Sequence, residues 1–119
     1  MHAAGIPVTM DLDGDPRALA DGVQLTVFRV AQEALTNTLK HANRPTRAHL
    51  ALSCRPGQVE LEVTDTGTPR AAAASGGRGL HGMRERAASY GGKLEAGPNP
   101  RGGWRVHLQL NPDAQSASR

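Results

Sequence analysis

Aromatic residues are scarce in this sequence, whose 119 residues include one Trp, one Tyr and one Phe. A hydrophobic core must therefore be built from Leu, Val and Ala, and few rings are left on which nucleic-acid bases could stack. The single cysteine, Cys54, excludes an internal disulfide bond and fits a reducing compartment. No apolar run approaches the roughly 18 residues that span a bilayer, and no signal-peptide pattern opens the chain. We therefore expect one soluble, cytoplasmic domain.

Basic side chains are in slight excess, with a net charge of +3, but no segment concentrates them. The first 22 residues are instead acidic, since Arg17 is outnumbered by four aspartates. A nucleic-acid-binding domain would be expected to cluster Lys and Arg in one run or on one face. We therefore rank a small anionic ligand above nucleic acid, with which we expect no direct contact.

Hydrophobic patterning divides the chain into strands and helices. Strands are predicted over residues 6–12, 48–54, 59–65, 93–96 and 104–110, and helices over residues 22–42 and 80–90. Asp21 is a suitable N-cap for the first helix. The order strand, helix, hairpin, loop, helix, hairpin predicts a two-layer α/β sandwich, in which helices cover one face of a mixed sheet and the other face is partly solvated.

Two segments lack this patterning. Residues 66–79 are rich in Gly, Ala, Ser and Pro, and a loop of this length in a compact domain is usually functional or disordered. Residues 113–119 are polar and predict a disordered tail, which leaves residues 1–112 as the folded domain.

The first helix carries a polar stripe. At about 100° per residue, one side holds Arg29, Glu33, Asn37 and Lys40, with His41 at its margin. The opposite, apolar side consists of Val27, Phe28, Ala31, Ala34, Leu35, Thr38 and Leu39. The stripe could face solvent, since helix surfaces routinely carry Glu and Lys, or it could face a cleft. Asn37 favours the cleft, because asparagine is a poor helix former. An amide oxygen beside a carboxylate suits Mg²⁺, and Lys40 would then meet phosphate.

Two glycine-containing motifs follow the first hairpin. Asp65 ends an apolar strand, where its carboxylate could accept a hydrogen bond from an exocyclic amine such as that of adenine, and Gly67 would let the base lie close to the backbone. An ordinary turn also explains Asp and Gly at a strand end. Further on, Gly76, Gly77 and Gly79 lead into the second helix, whose free first-turn N–H groups could bind an anion, although flexible loops are glycine-rich too.

In this order and at these spacings, the motifs resemble the ATP-binding domain of sensor histidine kinases, which shares the Bergerat fold of the GHKL superfamily with gyrase, heat-shock chaperones and MutL. QEALTNTLKHA resembles the asparagine box, DTG the first glycine box, and GGRGLHGMRER the second. The last motif is especially similar to kinases whose response regulators carry helix-turn-helix output domains. The resemblance covers about residues 5–112 and implies a histidine-kinase-like ATPase domain with a mobile ATP lid at about residues 66–79.

The resemblance implies a role for each matching residue. Asn37 would hold Mg²⁺ between the phosphates, with Glu33 as a second ligand or a water-orienting group, and both would be catalytic. Lys40 and His41 would approach the phosphates of ATP. Asp65 would read the adenine amine. The remaining ATP contacts, at the base, the lid and the helix start, would come from Gly67, Gly77, Gly79 and Leu80.

Three residues depart from the family pattern or need a further reason. Pro69 stands where the first glycine box often has a second glycine, and Trp104 replaces a threonine common near the last strand. We expect these two changes to alter lid entry and one adenine-side hydrogen bond without removing the main ligands. Gly82 costs its helix about 1 kcal/mol relative to alanine, which favours either a close approach or packing at this position.

A phosphoacceptor histidine is missing from these motifs. In the kinases it is followed by Asp or Glu on a separate dimerising hairpin, whereas the five histidines here precede Ala, Leu or Gly. We expect Met1 to begin a fragment of a homodimeric parent, cut after its dimerisation domain, that binds Mg-ATP without phosphorylating itself. Its reaction would be γ-phosphoryl transfer to that domain's histidine, which would serve a response regulator with a helix-turn-helix output domain. Membrane anchorage of the parent stays open.

Two other functions are compatible with parts of the sequence. An anti-sigma-factor serine kinase has the same fold and a protein serine as acceptor, but the segment GLHGMRERA argues against it. A non-catalytic basic adaptor that binds nucleic acid is the more distant alternative.

Overall fold

The computed structural model describes residues 2–3, 6–41, 47–55, 57–66, 72–99 and 102–111. Its strands are β1 (His2–Ala3), β2 (Ile6–Asp13), β3 (Ala48–Arg55), β4 (Gln58–Asp65), β5 (Lys93–Pro98) and β6 (Trp104–Leu110). Its helices are α1 (Asp21–His41) and α2 (Ala72–Ser89), and a short 3₁₀ helix spans Pro16–Ala18. None of the described helices is both long and apolar enough to cross a membrane.

Six strands form one mixed sheet in the order β1-β2-β3-β4-β6-β5. β2 and β3 are parallel because α1 carries the chain from the end of one strand back to the start of the other. The other neighbouring strands are antiparallel, and β3–β4 and β5–β6 are the two predicted hairpins. α1 packs on β4 and β6, α2 packs on β5 and β6, and the helices contact each other. The predicted two-layer α/β sandwich is confirmed.

The core lies between the helices and the sheet. On α1, Val23, Val27, Val30 and Ala34 recur at intervals of three and four residues and form its buried side. They meet the helix-facing side chains of the central strands, whose buried members are Val59, Leu61, Val63, Val106, Leu108 and Leu110. The core is therefore aliphatic apart from Trp104, as the scarcity of aromatic residues requires.

Charged side chains cover the opposite face of the sheet. Arg105 Nε donates to Glu62 Oε2 at 2.5 Å, and His107 Nε2 lies 3.5 Å from Glu60 Oε2. All four side chains are partly exposed. The prediction that one face of the sheet is partly solvated is therefore confirmed.

The second helix starts earlier than its predicted start at Leu80, because α2 begins at Ala72. Residues 72–74 are alanines, the strongest helix formers, and an alanine run lacks the apolar periodicity by which a helix is recognised in a sequence. The prediction that Gly76, Gly77 and Gly79 lead into the helix is therefore wrong. These glycines lie within α2, whose free first-turn N–H groups are nearer Ala72.

Two smaller expectations about the helices have different outcomes. The prediction that Phe28 lies on the apolar side of α1 is wrong, since the residue is 60% exposed. The buried side centres on Val27 and Val30, and Phe28 projects about 100° away from Val27. At Gly82, an added Cβ atom would meet nothing within 4 Å among the described residues, so packing against those residues does not explain this glycine. A close approach at Gly82 stays a prediction.

Candidate functional site

Asp65, the last residue of β4, has a buried carboxylate with 4% of the residue exposed. It follows Val63 on the helix-facing side of the strand, where the alternation of β4 would place another apolar residue. Its Oδ2 atom accepts a hydrogen bond of 2.8 Å from the hydroxyl of Thr38 on α1. Its Oδ1 atom accepts one of 3.2 Å from the backbone N–H of Trp104 on β6. Donors from two other elements therefore fix the orientation of this carboxylate.

Gly103 allows the start of β6 to lie against the end of β4. Its φ of +84° is in the region that favours glycine. A Cβ atom at this position would lie 1.9 Å from the backbone oxygen of Asp65 and 3.0 Å from its Oδ1 atom. Only glycine therefore lets the neighbouring N–H of Trp104 reach the carboxylate.

Asn37 and Glu33 lie one turn apart on α1, so their side chains share one side of the helix. Asn37 is buried, with 8% exposed, and Glu33 is partly buried, whereas Arg29 one turn earlier is exposed. The polar stripe is therefore not a uniformly solvated surface. Asn37 is also the direct neighbour of Thr38, so one turn of α1 places an amide and the donor to Asp65 side by side in sequence.

The structure describes the other predicted site residues only in part. The backbone of Lys40 and His41 closes α1, but their side chains, like that of Leu39, lie outside the described residues. Gly67 and Pro69 also lie outside them. Gly77, Gly79 and Leu80 belong to the helical backbone of α2, and the side chain of Leu80 is not among those described. The predicted lid, residues 66–79, thus begins at the described Thr66 and includes the first eight residues of α2.

Two residues that lie against the carboxylate of Asp65 were not predicted from the sequence. Thr38 was assigned only to the apolar side of α1, and Gly103 was not assigned a role. The backbone N–H of Trp104 donates to Asp65. The expected change to an adenine-side hydrogen bond, which follows from the missing threonine side chain, stays a prediction. The sequence signals at these positions are a threonine on the buried side of a helix and a pair of glycines before a strand, and neither signal indicates Asp65 as the contact.

Comparison with known proteins matches residues 22–114 to the family of histidine kinase-, DNA gyrase B-, and HSP90-like ATPases. The chain belongs to this ATPase family. Sensor histidine kinase LnrJ of Bacillus subtilis is 30% identical over 108 residues, which are 91% of this chain and 26% of LnrJ. Nitrate/nitrite sensor protein NarX of Escherichia coli is 31% identical over 111 residues, which are 92% of this chain and 18% of NarX.

Solved structures show the same ATPase fold. The histidine kinase domain of the Erythrobacter litoralis EL346 blue-light activated histidine kinase has a TM-score of 0.76 and 22% identity, and the match covers 94% of this chain and 54% of that one. The resemblance of this ATPase-family domain to the ATP-binding domain of sensor histidine kinases is therefore confirmed. The serine-kinase and nucleic-acid-adaptor alternatives are not favoured. The chain spans about a quarter of the length of relatives such as LnrJ, at 26%.

Proposed function

We propose that this chain is the catalytic domain of a sensor histidine kinase, which binds Mg-ATP and donates the γ-phosphoryl group to a histidine on a separate dimerisation domain. Membership of the ATPase family supports ATP binding. The observation that carries the proposal is the buried carboxylate of Asp65, which is held between α1 and β6 beside the turn that carries Asn37.

Asp65 would recognise the adenine of ATP. A carboxylate oxygen has two lone pairs, so an oxygen that already accepts a bond from the protein can accept another from the exocyclic amine. Guanine carries a carbonyl oxygen in place of that amine, and two acceptors would then face each other in a buried site. Such an unpaired buried contact is strongly disfavoured, so the site would select ATP over GTP.

Asn37 and Glu33 fit a Mg²⁺ site in their chemistry. Both present the hard oxygen ligands that Mg²⁺ prefers, on one side of α1 and at limited exposure. In the part of the chain that the structure describes, no group of three or more His, Cys, Asp or Glu side chains could hold a metal ion. That suits an ion that keeps several waters and is held mainly by phosphate oxygens. Bound Mg²⁺ would neutralise negative charge on the phosphates.

The remaining roles follow from the resemblance of the motifs. Lys40 and His41, at the end of α1, would approach the phosphates. Gly67 would border the base, and residues 66–79 would close over the nucleotide as a lid. The contacts of that segment with the triphosphate would come from Gly77, Gly79 and Leu80. Glu33 would orient water or act as the second metal ligand. Since phosphoryl transfer depends mainly on positioning and charge neutralisation, these residues would align ATP rather than form bonds with it.

The phosphoacceptor and the partners would belong to the parent protein. LnrJ is about four times as long as its match to this chain, which leaves room for a dimerisation domain with its own histidine. The parent would act as a homodimer and pass the phosphoryl group to a response regulator with a helix-turn-helix output domain. This domain itself would have no direct contact with nucleic acid. It would work in the cytoplasm, whether or not the parent is anchored in the cell membrane.

A thermal melt with and without ATP tests this function. Binding at 100 times the Kd adds about 2.7 kcal/mol of stability, which raises the Tm of a domain of this size by about ten degrees. The increase should require Mg²⁺ and should be smaller with EDTA. Asp65→Asn should remove most of it, while Asp11→Asn, an exposed carboxylate on β2, should keep it. Absence of any shift at millimolar Mg-ATP would contradict the proposed function.

The variants should be compared by the increase in Tm that Mg-ATP causes in each, and not by the Tm of the unliganded domain. Asp65 is buried and accepts bonds from Thr38 and Trp104, so Asp65→Asn also changes the stability of the unliganded domain. An equal ATP-induced shift in Asp65→Asn and the unaltered chain would remove Asp65 from adenine recognition.

A further inference from the structure

We propose that Thr38 is a positioning residue that sets the selectivity of the site for adenine, because its hydroxyl holds the carboxylate of Asp65 in the orientation that accepts the exocyclic amine. This inference rests on the proposed function. The helical pattern of α1 assigned Thr38 only to the apolar side, and the resemblance gave it no role. The inference gives Thr38 a measurable effect on the choice of nucleotide.

The contact between Thr38 and Asp65 is short and shielded from water. Both residues are 4% exposed, and the hydroxyl oxygen lies 2.8 Å from Oδ2. A buried hydroxyl and a buried carboxylate each require partners, and here each supplies one to the other. The two residues are 27 positions apart in sequence, so the bond joins α1 to the end of β4.

The hydroxyl of Thr38 has one proton and two acceptors within reach. It lies 3.2 Å from the backbone oxygen of Ala34, one turn earlier on α1, and 2.8 Å from Oδ2 of Asp65. The carbonyl of Ala34 is already the acceptor that the α-helical pattern assigns to the N–H of residue 38. Hydrogen bonds to an ionised acceptor are shorter and stronger than those to a neutral one. The proton is therefore directed to the carboxylate.

The backbone N–H of Trp104 donates to the other oxygen of the same carboxylate. One donor on α1 and one on β6 thus prevent rotation of the carboxylate about its last bond. A carboxylate held in this way presents its remaining lone pairs in fixed directions, so an amine placed correctly gains a bond and a ligand without the amine gains none. Loss of the Thr38 hydroxyl would remove one of the donors that hold the carboxylate in this orientation.

Thr38 also connects the two ends of the proposed nucleotide site. It follows Asn37 directly, and consecutive helical residues point about 100° apart, so Thr38 can bond to β4 while Asn37 faces another direction. The bond to Asp65 therefore fixes the distance between the strand that reads the base and the helix turn that carries the proposed metal ligand. A shift of α1 would alter both contacts at once.

Affinities for two nucleotides separate positioning from a merely structural role. We would measure Kd for ATP and for purine riboside triphosphate, which lacks the exocyclic amine, in the unaltered chain, Thr38→Val and Thr38→Ser. Valine keeps the shape of threonine without the hydroxyl, and serine keeps the hydroxyl. Thr38→Val should weaken ATP binding about tenfold, the change expected for one hydrogen bond to a charged group, and change the affinity for the analogue less than twofold. Thr38→Ser should retain the preference for ATP.

Equal loss of affinity for both nucleotides in Thr38→Val would overturn the positioning role and leave Thr38 as a structural residue. An unchanged ratio of the two affinities would overturn it as well. If Thr38→Val does not fold, as judged by its thermal melt, Thr38→Ala carries the same prediction. An unaltered chain that binds neither nucleotide would instead refute the proposed function and this inference with it, so the two failures are distinguishable.

Discussion

At the scale of single residues, the carboxylate of Asp65 occupies a position that is unfavourable for a charge. It continues the helix-facing series of β4 after Val63, where an apolar side chain would pack without a desolvation penalty. A buried charge is tolerated only when it is hydrogen-bonded, and Thr38 and Trp104 supply those bonds. The same bonds fix the direction of the group. If Asp65 accepts a hydrogen bond from adenine as proposed, burial would make that contact rigid and sensitive to the chemistry of the ligand.

The thiol of Cys54 should react slowly with alkylating agents. Partial burial raises its pKa, and the nearby negative charges of Asp15 and Asp13 raise the pKa further. Because the thiolate is the nucleophile, a higher pKa leaves less of it at pH 8 than in an unfolded peptide. Alkylation with iodoacetamide, followed by mass spectrometry, should be slower in the folded chain than in the chain unfolded by denaturant.

Charge-neutralising variants test the cause of the slow reaction of Cys54. Asp15→Asn removes the larger of the two charge effects and should increase the rate of alkylation. Asp11→Asn is the matched control, because Asp11 is not among the groups that raise this pKa. Equal rates for both variants would show that burial alone controls the reactivity of the thiol.

The sequence pattern indicated Asp65 as a candidate site residue but did not indicate the residues that contact it. A carboxylate between an apolar strand and a glycine-rich segment is visible as a local pattern. The bond from Thr38 is not, because it joins positions 27 residues apart and exists only once α1 lies across β4. The same holds for Gly103, whose requirement for glycine comes from the backbone oxygen of Asp65. Local patterns identify residues that differ from their neighbours, whereas tertiary partners need the fold.

At the scale of elements, five of the six described strands and the first helix were predicted to within two residues, but the two-residue strand β1 and the start of the second helix were not. The alternation of apolar residues marks β4 and β6, and intervals of three and four residues mark α1. In α2 the residues that begin the helix are alanines followed by glycines, which carry neither pattern. The high helix propensity of the alanines favours a helix start at Ala72, whereas the low helix propensity of the glycines that follow favours a later start.

Gly82 offers a test of whether α2 needs its glycines. It lies in the interior of the helix, is exposed, and has nothing described within 4 Å of an added Cβ atom. Gly82→Ala should stabilise the domain by about 0.5–1 kcal/mol, because glycine loses more backbone entropy on entering a helix. Thermal or urea unfolding of the unliganded chain would measure the change, which corresponds to an increase in Tm of a few degrees.

Gly103→Ala is the matched control for Gly82→Ala, and it should have the opposite sign. There the added Cβ atom would lie 1.9 Å from the backbone oxygen of Asp65, at a φ of +84°. We therefore expect a marked loss of stability together with weaker ATP binding. A decrease in Tm for Gly82→Ala would mean that this position makes a contact that the described residues do not include.

At the scale of the whole molecule, the two faces of the sheet have different compositions. The helix-covered face holds the aliphatic core and the Asp65 carboxylate, and the other face carries the ion pair of Arg105 with Glu62 and the contact of His49 with Asp11. Carboxylates of this second face intermix with its basic groups, so the net charge of +3 is not concentrated there as a nucleic-acid surface would require. The sequence predicted this two-sided sheet because alternation assigns successive residues to opposite faces.

The proposed separation of ATP binding from phosphoryl acceptance gives a prediction for the chain as a whole. Incubated with γ-labelled Mg-ATP, the 119-residue chain should bind nucleotide yet incorporate no acid-labile phosphate, since none of its five histidines is followed by Asp or Glu. Positioning of the acceptor supplies much of the rate in such transfers, and here the acceptor would come from another domain. Adding the dimerisation segment of the parent kinase should therefore place label on that segment. Label on any histidine of this chain alone would show that the acceptor lies within it.

The same labelling experiment tests Asn37. If Asn37 holds the metal, Asn37→Asp should abolish the labelling of the dimerisation segment.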